Sequence, residues 1–199
     1  MLVGILELIL RGLYVLLAGE GWRKTFDSMQ QEAWRLETLP VYRVPQEEEA
    51  IRRFLAGVPV MRNATQPWSD RVKAYVAGGR RVGRVHIVTR PLTDYLRFEF
   101  EYYRHTVEAG EDVRILDVTR RANPLAGVPD FWMFDRSQIV LMHYERDGTQ
   151  ISREVYEGAP EPFQEYQQIA LAESVPFEEY VKPSAPDRRR PGPSRGESQ

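Results

Sequence analysis

The chain has 199 residues, 42% hydrophobic and 28% charged, a composition typical of one globular domain with decorated ends. Lys and Arg number 27 against 29 Asp and Glu, and a formal net charge of −2 excludes a generally basic nucleic-acid-binding protein. The sequence has no cysteine, which excludes a disulfide scaffold, a thiolate zinc site and a cysteine nucleophile.

Residues 1–21 form an apolar leader that we predict to be helical. Glu7 and Arg11 interrupt it at i,i+4 spacing and can pair on one helical face. A bilayer-spanning helix needs ~20 apolar residues, and charges within the span are costly. We therefore expect a helix that packs on the domain or on a partner, and no membrane contact. Membrane association through this helix stays an alternative, as does a leader added by an upstream start site.

Three helices are predicted in the N-terminal third. An apolar stripe with spacings of 4, 3, 4 and 3 predicts the first, over Trp22, Phe26, Met29, Ala33 and Leu36. Pro45 and the glutamates at 47–49 favour the start of a second helix, which Gly57 ends. Pro67 is interpreted as the first turn of the third, with Gly78 after its end.

A strand, a helix and a second strand follow. Residues 82–89 and 113–118 are rich in β-branched side chains, and a helix from Pro91 to Gly110, the longest predicted, separates them. This order predicts a right-handed βαβ crossover with parallel pairing of the two strands.

The C-terminal part predicts a β-meander and a closing helix. Three short strands are expected at 130–135, 138–145 and 149–156, the last two joined by a hairpin at Asp147-Gly148. A helix then begins near Pro160. The fold class is therefore α/β with a mixed sheet, in a single domain over residues 22–182. Residues 183–199 have no aliphatic or aromatic core residue and predict a disordered basic tail of charge +2.

Few motifs in the sequence point to catalysis. The glycine-rich stretch at 78–83 precedes a strand, whereas a phosphate cradle follows one. Asp130 and Asp135 flank an aromatic strand, where we expect them on opposite faces and ~16 Å apart. Asp135 is better explained as a turn residue. The histidines show no metal-ligand spacing, and we predict no catalytic residue, metal site or cofactor. The composition predicts a cytoplasmic protein.

Glu99 is the most informative side chain, because it lies on the apolar stripe of the crossover helix. A carboxylate there is costly unless it is paired, and the candidate partners in the crossover unit are Arg84, Arg90 and Arg114. The sequence predicts either a structural ion pair, whose loss in Glu99→Gln would destabilise the fold, or a polar ligand pocket at the carboxyl end of the sheet. Ligand-binding or partner-binding residues are predicted at Arg84, His86, Arg90, Tyr95, Glu99, Arg114 and Trp132.

Four stretches resemble a known family. They are RLETLPVY (35–42), RVHIVTRPLTDYLRFEFEYY (84–103), AGEDVRIL (109–116) and DFWMFD (130–135). The family is one of unknown function, abundant in actinobacteria, whose small single-domain members are often encoded near helix-turn-helix regulators. The resemblance covers residues 23–182. It implies a regulatory module whose partner is a small ligand or a helix-turn-helix regulator.

A weaker, fold-level likeness is to phospholipase D-like domains. The order of strand, helix, AG-x-x-VRIL, loop and strand ending in aspartate is similar. Those enzymes place His and Lys before that aspartate, where Val128 and Asp130 stand here when it is aligned on Asp135. The likeness therefore implies a catalytically dead copy.

Two functional hypotheses from different classes remain. The first is a non-catalytic α/β module that binds a ligand or docks onto a partner. The second is an enzyme acting on a phosphoester or nucleotide, with His86 and Glu99 as acid–base groups. A convergent pocket with perturbed ionisable groups favours the enzyme, and a flat aromatic patch favours docking.

Overall fold

A seven-stranded mixed sheet organises the part of the chain that the computed structural model describes, residue 17 and residues 19–182. The strand order is β6-β5-β4-β1-β2-β3-β7, and only β1–β2 and β2–β3 pair in parallel. The strands are β1 (Glu32–Glu37), β2 (Arg81–Val88), β3 (Asp112–Asp117), β4 (Phe131–Phe134), β5 (Gln138–Tyr144), β6 (Gln150–Tyr156) and β7 (Val175–Pro176).

Helices cover both faces of this sheet. They are α1 (Gly19–Ser28), α2 (Glu48–Leu55), α3 (Arg62–Ala77), α4 (Asp94–Glu108), α5 (Glu161–Glu173) and α6 (Phe177–Tyr180), with a 3₁₀ turn at Pro45–Glu47 before α2. Within the described residues, none of these helices has the length and hydropathy to cross a bilayer. The predicted tail (183–199) and the leader up to residue 16 lie outside the described residues. The last residues of the leader, from Gly19 on, belong to α1.

The predicted fold class and its main motifs are confirmed. Strand β2, helix α4 and strand β3 form the crossover with parallel pairing, and Thr93 caps α4 by accepting a hydrogen bond from the Leu96 backbone N–H. Strands β4, β5 and β6 form the antiparallel meander. Gly148 has a φ of +87° in the predicted hairpin, a conformation that suits glycine. The closing helix is α5, and β7 and α6 are additions that the sequence did not predict.

The predicted helix over 22–36 is wrong in its second half. Helix α1 ends at Ser28, and Glu32–Glu37 is strand β1. The carboxylate of Asp135 accepts hydrogen bonds from the backbone N–H groups of Gln30, Gln31 and Glu32, at 2.8, 2.7 and 3.0 Å. This long-range contact holds the chain in a turn before β1, and a local periodicity cannot reveal it.

The third helix was also misplaced. Helix α3 begins at Arg62, so Pro67 lies inside the helix and does not start it. With 16 residues α3 is longer than α4, which has 15, although α4 was the predicted longest helix. The end of α3 before Gly78 agrees with the sequence.

The two faces of the sheet differ in chemistry. Strand alternation places Trp34, Leu36, Val85 and Phe131 on the face that α5 covers, which we call the apolar face. The face under α1, α3 and α4, here the polar face, carries charged groups in its centre. In the parallel register Arg35 lies beside Arg84 and Glu37 beside His86.

Candidate functional site

Two arginines and two glutamates form a buried ionic network on the polar face. The Arg84 guanidinium contacts Glu111 Oε1 at 2.7 Å and Glu37 Oε2 at 3.1 Å. Arg35 contacts the other oxygen of Glu37 at 3.1 Å. Glu111 also accepts a hydrogen bond from Trp68 Nε1 at 3.0 Å. Every carboxylate of the network is thus paired, as buried charges must be.

The two arginines control the charge of Glu37. Burial alone would raise the pKa of Glu37, but Arg35 and Arg84 lower it to about 2. Tyr103 adds a hydrogen bond from its hydroxyl, at 3.0 Å. Glu37 is therefore ionised at neutral pH.

His86 extends the network but does not line the open space beside it. The side chain is fully buried. Its Nδ1 lies 2.8 Å from the Tyr103 hydroxyl, and its Nε2 lies 3.0 Å from the Leu39 carbonyl oxygen. Burial lowers the pKa of His86, which favours the neutral ring. Both ring nitrogens are occupied by protein groups.

A cavity of about 660 Å³ lies over the polar face. Its floor comes from β1, β2, β4, β5 and β6, and its walls come from α1, α3, α4 and residues 42–48. Cavities of ~300–1,000 Å³ are usual for small-molecule sites. The cavity reaches the carboxyl end of β1 through Glu37 and residues 42–48, as predicted, but Arg35 and Arg84 enter it from within their strands.

One end of the cavity is aromatic and cationic. Trp22, Trp68 and Trp132 line it, and guanidinium groups lie over the rings. Arg35 is 5.6 Å from the Trp132 ring centroid, and Arg153 is 4.9 Å from that of Trp22. The Nε atoms of both arginines are buried without a hydrogen-bond partner.

The cavity is also lined by two carboxylates that each have one oxygen without a partner. Glu99 Oε2 and Glu47 Oε2 are buried, line the cavity and make no hydrogen bond. Burial, then the neighbouring Glu47, raises the pKa of Glu99 to about 8. Burial raises the pKa of Glu47 to about 7, with Glu37 adding to the rise. The predicted ion pair of Glu99 is therefore wrong: the nearby Arg84 is paired with Glu37 and Glu111 instead.

Four of the seven sequence-predicted site residues line this cavity, namely Arg84, Tyr95, Glu99 and Trp132. His86 lies behind them in the network. Arg90 and Arg114 lie elsewhere. Arg90 donates to the Tyr180 hydroxyl at 2.9 Å and borders a separate hollow. Arg114 donates to the Ser174 hydroxyl at 3.0 Å and ties β3 to the end of α5.

Asp130 and Asp135 have separate structural roles, and Asp135 is the turn residue that the sequence predicted. The Asp130 carboxylate accepts hydrogen bonds from the hydroxyls of Tyr42 and Thr38, and from the Thr38 backbone N–H at 3.0 Å. Asp135, at the turn after β4, holds the chain before β1. Neither carboxylate lines the cavity.

Sequence reasoning missed Arg35, Glu37, Glu47 and Arg153. The signal for the first two was period-2 polarity, because Arg35 and Glu37 alternate with Trp34 and Leu36. The helical interpretation of this segment hid that alternation. Glu47 had a plain explanation as a helix-start glutamate, and no local pattern marks Arg153.

The fold and the site together define an α/β domain with a half-open cavity on the polar face of its sheet. Among the described residues, no group of three or more His, Cys, Asp or Glu could hold a metal ion. The sequence model of a family described as "Domain of unknown function (DUF6879)" matches residues 20–182. The chain belongs to this family, which confirms the predicted membership of a family of unknown function.

The other comparisons add little to the family assignment. No curated protein matches the chain. A similar solved structure is the crystal structure of phosphatidylserine synthase from Haemophilus influenzae Rd KW20, with 12% identity and a TM-score of 0.39. The match covers 83% of this chain and only 38% of the synthase chain. The likeness is too distant to inform function, and the phospholipase D-like relationship stays a prediction.

Proposed function

We propose that this chain is a ligand-binding α/β domain whose small polar ligand occupies the cavity on the polar face. The observation that carries the proposal is the set of four buried polar atoms without partners around one cavity: Glu47 Oε2, Glu99 Oε2, Arg35 Nε and Arg153 Nε. Leaving buried polar groups unsatisfied costs ~1–3 kcal/mol each, so such groups need a reason to be retained. A ligand that satisfies them supplies that reason.

The tryptophans allow a direct test. The chain has four, and three of them line the cavity, while Trp34 lies on the apolar face. In a Trp34→Phe variant, all tryptophan fluorescence therefore comes from side chains that line the cavity. We expect the small-molecule filtrate of a bacterial cell extract to change this emission, and native mass spectrometry of the mixture to show an added mass.

Two neighbouring positions on β6 provide a matched control. Gln150 lines the cavity, whereas Ile151 is exposed. In the Trp34→Phe background, Gln150→Phe should narrow the cavity and abolish the emission change, while Ile151→Phe should preserve it. Unchanged emission in the Trp34→Phe protein, or equal behaviour of the two phenylalanine variants, would contradict ligand binding at this site.

A second candidate function is acid–base catalysis at the same cavity. The observation in its favour is that burial brings the pKa values of Glu99 and Glu47 to about 8 and about 7, near the range that suits a general acid at neutral pH. His86 would not take part, since both of its ring nitrogens contact protein groups. Consumption of the bound molecule by the wild type, lost in Glu99→Gln, would favour this candidate.

The regulatory role belongs to the same proposal. It rests on the family resemblance of the quoted stretches, which implies a helix-turn-helix regulator as the partner. In this proposal, ligand binding in the cavity controls that partnership. Co-purification of the chain with helix-turn-helix regulators from the same genome, in the presence and absence of the filtrate, tests the link. A complex insensitive to the filtrate would contradict it.

A further inference from the structure

Within the described residues, no ion pair holds the carboxylates of Glu47 and Glu99. Glu47 and Glu99 both line the cavity, and one oxygen of each is buried without a partner. Glu99 is only 6% exposed, so water cannot readily compensate its charge. The two carboxylates also oppose each other's ionisation. A positive group placed between them would allow both to ionise.

Five arginines line the cavity, but within the described residues none of them forms an ion pair with Glu47 or Glu99. Arg84 is held by Glu111 and Glu37, at 2.7 and 3.1 Å. Arg35 is held by Glu37 at 3.1 Å and donates to the Tyr144 hydroxyl at 3.2 Å. The network is balanced, with two arginines and two glutamates, and this leaves Glu47 and Glu99 as additional negative groups.

The surroundings fit an organic cation better than a metal ion. Divalent metal ions need several oxygen ligands at 2.0–2.6 Å in a tight shell, and the cavity of about 660 Å³ is much larger than such a shell. Tyr95 and Tyr102 also line the cavity, and aromatic rings attract organic cations. Ammonium and guanidinium groups also carry several N–H donors that can reach two carboxylates at once.

We propose that the ligand carries an ammonium or guanidinium group that binds between Glu47 and Glu99. This inference rests on the proposed function and specifies its ligand class. The Nε atoms of Arg35 and Arg153, which also line the cavity, would then donate hydrogen bonds to an acceptor group of the same molecule. The cavity thus selects a molecule by the charge of the end that meets α4.

Two probes of the same shape test the charge. Propylguanidinium is a cation, and propylurea is its neutral counterpart. In the full-length Trp34→Phe protein, we expect propylguanidinium to change the emission at millimolar concentration, with at least a tenfold lower half-saturation concentration than propylurea, at equal ionic strength. Equal responses to the two probes, or a response to calcium chloride in place of propylguanidinium, would overturn the assignment of an organic cation.

Substitutions locate the binding group. Glu99→Gln and Glu47→Gln should each weaken propylguanidinium binding at least tenfold, and the second variant serves if the first does not fold. Glu48→Gln is the matched control, because Glu48 borders the cavity beside Glu47 but is exposed. Wild-type affinity in both test variants would overturn the inference.

The outcome separates this inference from the proposed function. If propionate or propylurea changes the emission and propylguanidinium does not, the cavity binds ligands and only the cation assignment is wrong. If the extract filtrate and all probes leave the emission unchanged, both proposals are wrong.

Discussion

Two buried carboxylates on the same face of the sheet show opposite electrostatics. Glu37 lies between Arg35 and Arg84, and its pKa falls to about 2. Glu99 lies at the cavity, one of its oxygens has no partner, and its pKa rises to about 8. Both are nearly inaccessible, at 2% and 6% exposure, so partners and not depth set the difference. The ionic network around Glu37 stabilises the fold, whereas Glu99 is a group that the fold alone does not need.

Breaking the ionic network should cause the largest loss in the free energy of unfolding. Glu37→Gln removes the charge that holds two buried arginines, and loss of one partner of a buried ion pair costs ~3–5 kcal/mol. Arg84 retains Glu111, so we expect a loss near the lower value. Urea denaturation at neutral pH measures it. A loss below ~1 kcal/mol would mean that the network adds little to stability.

The pH dependence follows from the same difference. The pKa of Glu37 is lower in the folded than in the unfolded chain, so its stabilisation is present above pH 4.5 and is lost as the pH falls towards 2. The pKa of Glu99 is higher in the folded chain, so the sign is opposite. The stability that it contributes is complete below pH 4.5 and is lost as the pH rises through 8.

The substitution Glu99→Gln should therefore become more stabilising, relative to the wild type, as the pH rises. Glutamine keeps the shape but cannot ionise, so the variant should equal the wild type near pH 4 and exceed its stability at pH 9 by up to about 5 kcal/mol. This reverses the destabilisation expected from an ion pair. The control is Glu101→Gln on the same helix, whose side chain is 43% exposed and should show no such trend. Parallel pH profiles of wild type and Glu99→Gln would contradict the raised pKa.

The sequence predicted the βαβ crossover and the β-meander well, because the signals there are local. β-Branched runs gave β2 and β3, and the hairpin at Asp147-Gly148 joined β5 to β6 as expected. The start of the fold was mispredicted, since the turn before β1 depends on Asp135, more than 100 residues away. At such positions a tertiary contact overrides a local periodicity.

The site was predicted in part for the same reason. Glu99 and Arg84 stood out because charged groups on apolar stripes or in strands need an explanation. Arg153 and Glu47 did not, because their side chains look like ordinary surface residues in the sequence. Only the assembled sheet and residues 42–48 bring them to one cavity. Sequence also named Arg84 as a partner of Glu99, whereas the structure gives Arg84 to Glu111 and Glu37.

The smallest effect on stability and binding is expected from a residue outside the ionic network and the cavity. Arg90 was a sequence-predicted site residue, yet it does not line the cavity, and its contact with Asp117 at 3.5 Å is largely exposed. Exposed ion pairs contribute ~0–1 kcal/mol. Arg90→Ala should therefore lower the free energy of unfolding by less than ~1 kcal/mol and leave the cavity emission with propylguanidinium unchanged. Loss of that response in Arg90→Ala would place the binding site beside Tyr180 instead, since the Arg90 guanidinium lies 4.9 Å from that ring and does not line the cavity.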